Sequence, residues 1–470
     1  MQLINSSSLF RIGNCLAIIC MLLNIFALGR TGMLFLLPLS YLFCSVLIQG
    51  AYNNSSYNLI QSIICILLFI RLVALPGVNL MDDYYTFVER NNTTSIFNEA
   101  ISLCIYESII ISIFIYALTN NKYIKNNSYQ FSEQRELSGN TFVYIIFIIF
   151  AIGVAMTVGR HMHLFDFVFK TVGEDNVRDD ETIDAASLLI RQILSSGLIF
   201  TFFVFTEKCR RKYNFSGSRS LYLNLNILFA LFLVCLITGE RRTSQVYTAF
   251  ASMWLLTHIY YSESKKIIKY ILICAIFVLT LLTIYKHFYA FLYDSYLEAI
   301  QHGDSSDVFS TSTIDSYFYG IGTLSKNLDF AHNGYVPFFT CIYDIFRNIF
   351  GVNFFVPRGI HTTLETYNLY VYLGEKSNGF LIGSAGYGYV YFGFIFAPIL
   401  TCINVAFMYF LERKLKTCTS IEMTYLWAIV FMRFSFGALG CLPPLLNMSS
   451  RYLIVNGLIY RISNLLKSSR

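Results

Sequence analysis

Charge is what this chain has least of. Asp, Glu, Lys and Arg make up 13% of its 470 residues, against 56% apolar residues and a mean hydropathy of +0.56. A soluble domain carries about 25% charged residues, so a water-soluble enzyme or carrier is excluded. Linkers are missing too: no Pro-rich or Ser-rich stretch, low-complexity block or internal repeat divides the chain. No CxxC pair occurs among the 12 cysteines, and most of them, such as Cys15, Cys20, Cys65, Cys104, Cys235 and Cys274, fall inside apolar runs. Cysteines placed so pack as small hydrophobes, and neither a disulfide framework nor a cysteine metal site follows. The net charge of +6 is not the footprint of a nucleic-acid binder. Most of the Lys and Arg sit in short connections between apolar runs, where they set orientation in a membrane.

What fills the chain is apolar runs long enough to cross hydrocarbon, recurring from end to end. The pattern predicts an all-α polytopic integral membrane protein with about twelve transmembrane helices, the first near 13–28 and the last, short and polar, near 445–458. Residues 1–470 then form a single membrane domain. Alternate connections carry the positive charge: Lys122, Lys125 and Arg135; Lys208 to Lys212 with Arg219; Lys265 and Lys266; Arg413, Lys414 and Lys416; Arg461, Lys467 and Arg470. That alternation places both termini in the cytoplasm. The external set includes 77–99, a smaller acidic loop at 160–186, the tight turn at 239–243, and a large loop at 287–382. A loop of that length is more often a binding or catalytic element than a connector. Chemistry there has no access to ATP or nucleotide sugars.

A second set of cations breaks the orientation rule. Arg71, Arg160, Arg191, Arg241, Arg242, Lys286, Arg433 and Arg451 all map to the external side or to the outer part of a span. Arg433 sits well inside its helix, where an unpaired charge costs about 2.5–3.5 kcal/mol on insertion scales. Arginine's planar fork of donors matches phosphate oxygens, so converging arginines suit a pyrophosphate. Snorkelling explains Arg71 and Arg191 equally well, and Glu107 is a candidate partner for one of them inside the bundle. The sharpest short motif is Gly239-Glu240-Arg241-Arg242-Thr243-Ser244, which pins both arginines at the membrane boundary. The rival reading of that pair is purely topological, since interfaces attract arginine.

Within the large loop, His332, His361, Asp344, Glu365, Arg347 and Arg358 supply acid–base and anion-binding groups together. Histidine is the natural base near neutral pH and can take the proton of a sugar hydroxyl. Arg358, between Pro357 and Gly359, sits on a constrained turn. Tyr335, Tyr343, Tyr367, Tyr370 and Tyr372 suit sugar rings and equally suit an interfacial helix lying on a bilayer. The acidic loop holds His161, His163, Glu174, Asp175, Asp179, Asp180, Glu181 and Asp184, but their spacing fits no metal-ligand pattern and reads as a solvated loop.

Taken together, the architecture, the GERRTS turn and the Gly- and aromatic-rich segment NGFLIGSAGYGYVYFGFIFAP at 378–398 resemble the O-antigen polymerase (Wzy) family. The resemblance implies a C-type (GT-C-like) glycosyltransferase in the bacterial inner membrane with a periplasmic active site. It implies a growing glycan on undecaprenyl pyrophosphate as donor, the next lipid-linked unit as acceptor, and a Wzz-like chain-length regulator as partner, with no metal or other cofactor. Carried over residue by residue, Arg241 and Arg242 bind the pyrophosphate, and His332, Arg347, Arg358 and His361 are loop candidates. The expected catalytic residues are His332 and His361; the expected pyrophosphate-binding set is Arg241, Arg242, Arg347, Arg358 and Arg433. Two rivals stay open: an O-antigen ligase, which differs only in its acceptor, and a lipid-linked oligosaccharide flippase. A flippase calls for two similar halves and charges at mid-depth, whereas here the halves differ and one loop dominates.

Overall fold

The computed structural model describes residues 6–27, 32–54, 58–82, 84–91, 93–120, 135–157, 166–167, 185–215, 219–237, 243–289, 311–357, 359–371 and 381–468. These residues are almost wholly helical. A segment that is to sit in lipid has to satisfy its own backbone N–H and C=O groups, and the helix does so within one run. One two-residue antiparallel pair stands apart, Asp166–Phe167 with Leu236–Ile237. Among the described residues, three continuous stretches are long and apolar enough to cross a membrane: Gly32–Asn53, Asn58–Asp82 and Thr94–Asn120. Ser384–Phe396 and Ile399–Thr417 reach that standard as a pair, bent by 110° at the break between them, which makes them a broken span or a re-entrant loop. Shorter apolar helices occupy Phe10–Phe26, Thr141–Thr157 and Arg219–Cys235.

The chain forms two compact units. The first comprises Met1–Tyr129, Phe309–Arg413 and Phe434–Met448. In it the Thr94 helix (Thr94–Asn120) packs on Leu36–Asn54 and on the Ile321 helix (Ile321–Asn333), which in turn packs on the Ser384 helix (Ser384–Phe396). A buried ion pair ties its spans together. Arg71, on a π-helical turn at Ile70–Ala74, lies 2.5 Å from Glu107 of the Thr94 helix, whose other oxygen accepts from Thr401 Oγ1 at 2.6 Å. The pairing of Arg71 with Glu107 is thus the one chosen from the sequence alternatives. It answers the cost of a charge inside an apolar bundle.

The described part of 311–371 is largely helical, with irregular connections between its helices. It is built from Thr311–Phe318, the Ile321 helix, the Phe339 helix (Phe339–Asn348) and the Thr363 helix (Thr363–Val371). Two fully or nearly fully buried aspartates hold it. Asp315 accepts from Tyr85 Oη at 2.8 Å, Gly322 N at 3.0 Å, Thr323 N at 2.6 Å and Thr323 Oγ1 at 2.7 Å. Asp344 accepts from Thr363 N at 3.2 Å and from Tyr387 Oη at 2.8 Å. Burial pushes both carboxyls above the usual aspartate range, and the donated hydrogen bonds oppose that rise.

The Ser384 helix is bent by its glycines. Gly393 has φ +69°, a left-handed conformation that an L side chain rarely adopts. At Gly388 a Cβ would stand 2.2 Å from the carbonyl oxygen of Ala397, so the chain folds back against a position with room for hydrogen alone.

The second unit comprises Gln130–Val308, Lys414–Arg433 and Ser449–Arg470. Thr141–Thr157 packs on Ala185–Phe215, which packs on Arg219–Cys235, and Thr243–Ile259 and Ser264–Tyr289 complete the layer. Its core is aromatic, with Phe200 against Tyr144 and Phe203, and Tyr425 against Phe202 and Phe203. Buried Glu422 accepts from Gly139 N, Ser138 N and Tyr144 Oη. Arg135 donates to the Leu415 carbonyl, where a cation complements the helix C-terminus, and burial lowers its pKa to about 10.

Candidate active site

His332 lies in the last turn of the Ile321 helix, Glu99 in the second turn of the Thr94 helix, and Tyr389 on the Ser384 helix. They are far apart in sequence and meet in the first unit. His332 Nε2 is 2.9 Å from Glu99 Oε2, and Tyr389 Oη donates to Glu99 Oε1 at 2.6 Å. Tyr389 Oη also lies 3.4 Å from His332 Nε2, and the two rings meet edge to face. The pair is open to solvent, with the His332 side chain 42% and the Glu99 side chain 28% exposed.

The chemistry follows from which atom of each group can donate. An ionised carboxylate only accepts, so the proton between Glu99 and His332 sits on Nε2. That tautomer leaves Nδ1 with its lone pair, and among the described residues Nδ1 has no hydrogen-bond partner. A histidine whose far nitrogen is fixed by a carboxylate is a poised general base, because the carboxylate orients the ring and steadies the imidazolium that forms. Tyr389 holds the second carboxylate oxygen and so keeps Glu99 turned toward the ring. Nearby Asp329 is already engaged, accepting from Tyr370 Oη at 2.9 Å and from Asn333 Nδ2 at 2.9 Å.

No family model, curated protein or solved structure matches this chain.

The remaining expected site residues fall in different places. Arg241, Arg242 and Arg358 lie outside the described residues, as do nearly all of the acidic loop and 372–380. His361 precedes the Thr363 helix, with its side chain 69% exposed and Nδ1 3.8 Å from Glu365. Glu365 has a structural task there: it accepts from Thr362 N at 2.7 Å while Thr362 Oγ1 accepts from Glu365 N at 3.2 Å, a capping box at the helix start. No described hydrogen bond or ion pair joins His361 to His332. Arg347 ends the Phe339 helix, partly exposed and with no hydrogen bond or ion pair to another described residue. Arg433 belongs to the second unit, where its Nη1 donates to Tyr247 Oη at 3.3 Å and its guanidinium lies over the Tyr247 ring at 5.8 Å.

Sequence reasoning found His332 but missed Glu99 and Tyr389. Glu99 stands where a polar connection gives way to an apolar run, a position at which a carboxylate is ordinary. Tyr389 is one of three tyrosines spaced by two on a helix, each step turning about 200°. Tyr387 and Tyr391, four residues apart, share the face that meets Asp344 and Thr363; Tyr389 faces Glu99 and His332 instead. The spacing was the available signal.

Proposed function

We propose that this chain is an O-antigen polymerase-type membrane glycosyltransferase, which joins undecaprenyl-pyrophosphate-linked repeat units at the periplasmic face of the bacterial inner membrane. The full proposal has about twelve spans, a C-type architecture, cytoplasmic termini and a chain-length regulator as partner. The observation that carries it is the Glu99–His332–Tyr389 constellation, a carboxylate-held base on a chain with membrane-crossing helices. In the reaction, His332 Nδ1 takes the proton of an acceptor sugar hydroxyl. The oxygen bonds to the donor's anomeric carbon, and the bond from that carbon to the lipid pyrophosphate breaks, its electron pair leaving with the pyrophosphate. The developing charge calls for cationic donors. Arg347 is the described candidate in the unit that holds His332, and Arg241 and Arg242 keep that role as the sequence's own proposal.

The test is deletion of the gene in its native host, with surface lipopolysaccharide resolved on a gel and complementation by wild type and by His332→Ala. The expected result is core carrying a single repeat unit, a ladder restored by wild type, and none restored by His332→Ala at normal membrane levels. Loss of every repeat unit from the core overturns the polymerase reading in favour of a ligase or a flippase.

A further inference from the structure

We propose that the Phe339 helix is an interfacial membrane helix, whose outward apolar face beds into the lipid headgroup–acyl boundary at the end of the bundle that carries His332.

The helix is amphipathic in the inverted sense. Its inner face is polar: Asp344 takes Thr363 N and Tyr387 Oη, and Tyr343 Oη donates to the carbonyls of Pro357 and Ile360 at 2.7 and 3.0 Å. Its outer face carries Phe339, Ile342 and Phe346, spaced by three and four and 52%, 53% and 48% exposed. Water on that face would meet three large apolar side chains in one stripe, the pattern of a helix lying in an interface plane.

The bundle fixes the height of this face. The Thr94 and Ser384 helices advance together, since Glu99 meets Tyr389 and, seven residues on, Tyr106 stacks on Phe394 and donates to the carbonyl of Ile395. Asp344 binds Tyr387, and the ring of Phe338 packs on Tyr391 and Phe392, so the Phe339 helix docks on the first turns of the Ser384 helix, at the level of Glu99. That level is five residues from the start of the Thr94 helix. The Thr94 helix has 27 residues, about 40 Å at its usual rise, whereas the hydrocarbon core is about 30 Å thick. Its first six residues include Thr94, Ser95, Asn98 and Glu99, whereas its C-terminal half is uncharged and mostly apolar as far as Leu118. The excess length therefore falls at the N-terminal end, at headgroup depth, and the apolar stripe stands with it.

The experiment uses the full chain in nanodiscs of phosphatidylethanolamine and phosphatidylglycerol. Tryptophan is introduced as Phe346→Trp and, separately, Ile342→Trp, with the two natural tryptophans kept and their emission subtracted. The expected result is loss of roughly half of the added emission with brominated lipids and little loss with aqueous acrylamide, as for a ring about 5–10 Å into the boundary. Quenching by acrylamide alone, at both positions, overturns the proposal and marks the face as open to water or glycan. Protection from both quenchers with cross-linking between copies overturns it in favour of a second copy of this chain. The two variants report separately, so misfolding of one leaves the other to decide.

Discussion

Carboxylates of two kinds occur in the first unit and do opposite things. Asp315 and Asp344 are buried, and their oxygens are filled by backbone N–H groups and hydroxyls of the segments they join. Glu99 is part-exposed and holds a histidine whose second nitrogen has no described partner. By residue type alone Asp344 looks the better catalyst, being an acidic group in the stretch most suggestive of a site. The hydrogen bonds reverse that ranking. A carboxylate whose accepting capacity is spent on the fold is a pin, whereas one that orients a titratable ring toward solvent is part of a site.

The comparison breaks if the pins alter turnover without altering stability, or if the site residues do the reverse. Under the proposed function, the largest effect is expected at His332→Ala: a loss of roughly 10²- to 10⁴-fold in polymerisation rate with unchanged melting temperature, read from timed ladder growth at matched protein levels. Next comes Asp315→Ala, which orphans the Tyr85 hydroxyl and the N–H groups of Gly322 and Thr323. At about 1–3 kcal/mol for each buried orphan, a cost on the order of 3 kcal/mol or more is expected in thermal unfolding of the detergent-solubilised protein. Glu99→Gln is expected to lower the rate by about a hundredfold, through loss of the carboxylate that orients the base. The same substitution leaves folding intact, because Glu99 is not a pin.

pH dependence sharpens the comparison through its sign. Burial raises the folded-state pKa of Asp344 above the ordinary value, so the folded protein binds that proton more tightly than the unfolded chain does. The associated stability is fully present below about pH 3.9, and it is lost as pH rises through the raised value. Asp315 contributes with the same sign. Asp344→Asn cannot ionise, so its melting temperature should gain on wild type as pH climbs through that window. A constant difference across pH would show that Asp344 is not held as a buried carboxyl.

Much of the fold could be read from the sequence, and the site could be read only in part. Apolar runs announce helices because period and length are local properties, and the pairing of Glu107 with a membrane arginine follows from the cost of leaving either alone. The break at Gly393 and the close approach at Gly388 lay within the segment already singled out for its glycines. Glu99, Tyr389 and Asp315 carry no local sign of their roles. Glu99 and His332 are separated by 233 residues, Tyr389 and Glu99 by 290, and Asp315 and Tyr85 by 230, so packing alone makes these contacts, although Asp315 also binds Gly322 and Thr323 seven and eight residues on.

The smallest effect concerns the other histidine of the same stretch. Thr362 and Glu365 form a capping box at the start of the Thr363 helix, with His361 immediately before it. Thr362→Ala removes one half of that box and should cost about 1 kcal/mol, measured by thermal unfolding. The Thr363 helix also supplies Thr363 N to Asp344, so fraying at its start loosens the pin as well as the cap. If His361 serves only this helix start, His361→Ala should leave the polymerisation rate within about twofold of wild type, well short of the 10²-fold or more that separates a general base from a bystander. A loss matching that of His332→Ala would move His361 into the site and show that an open histidine beside a cap can still serve catalysis.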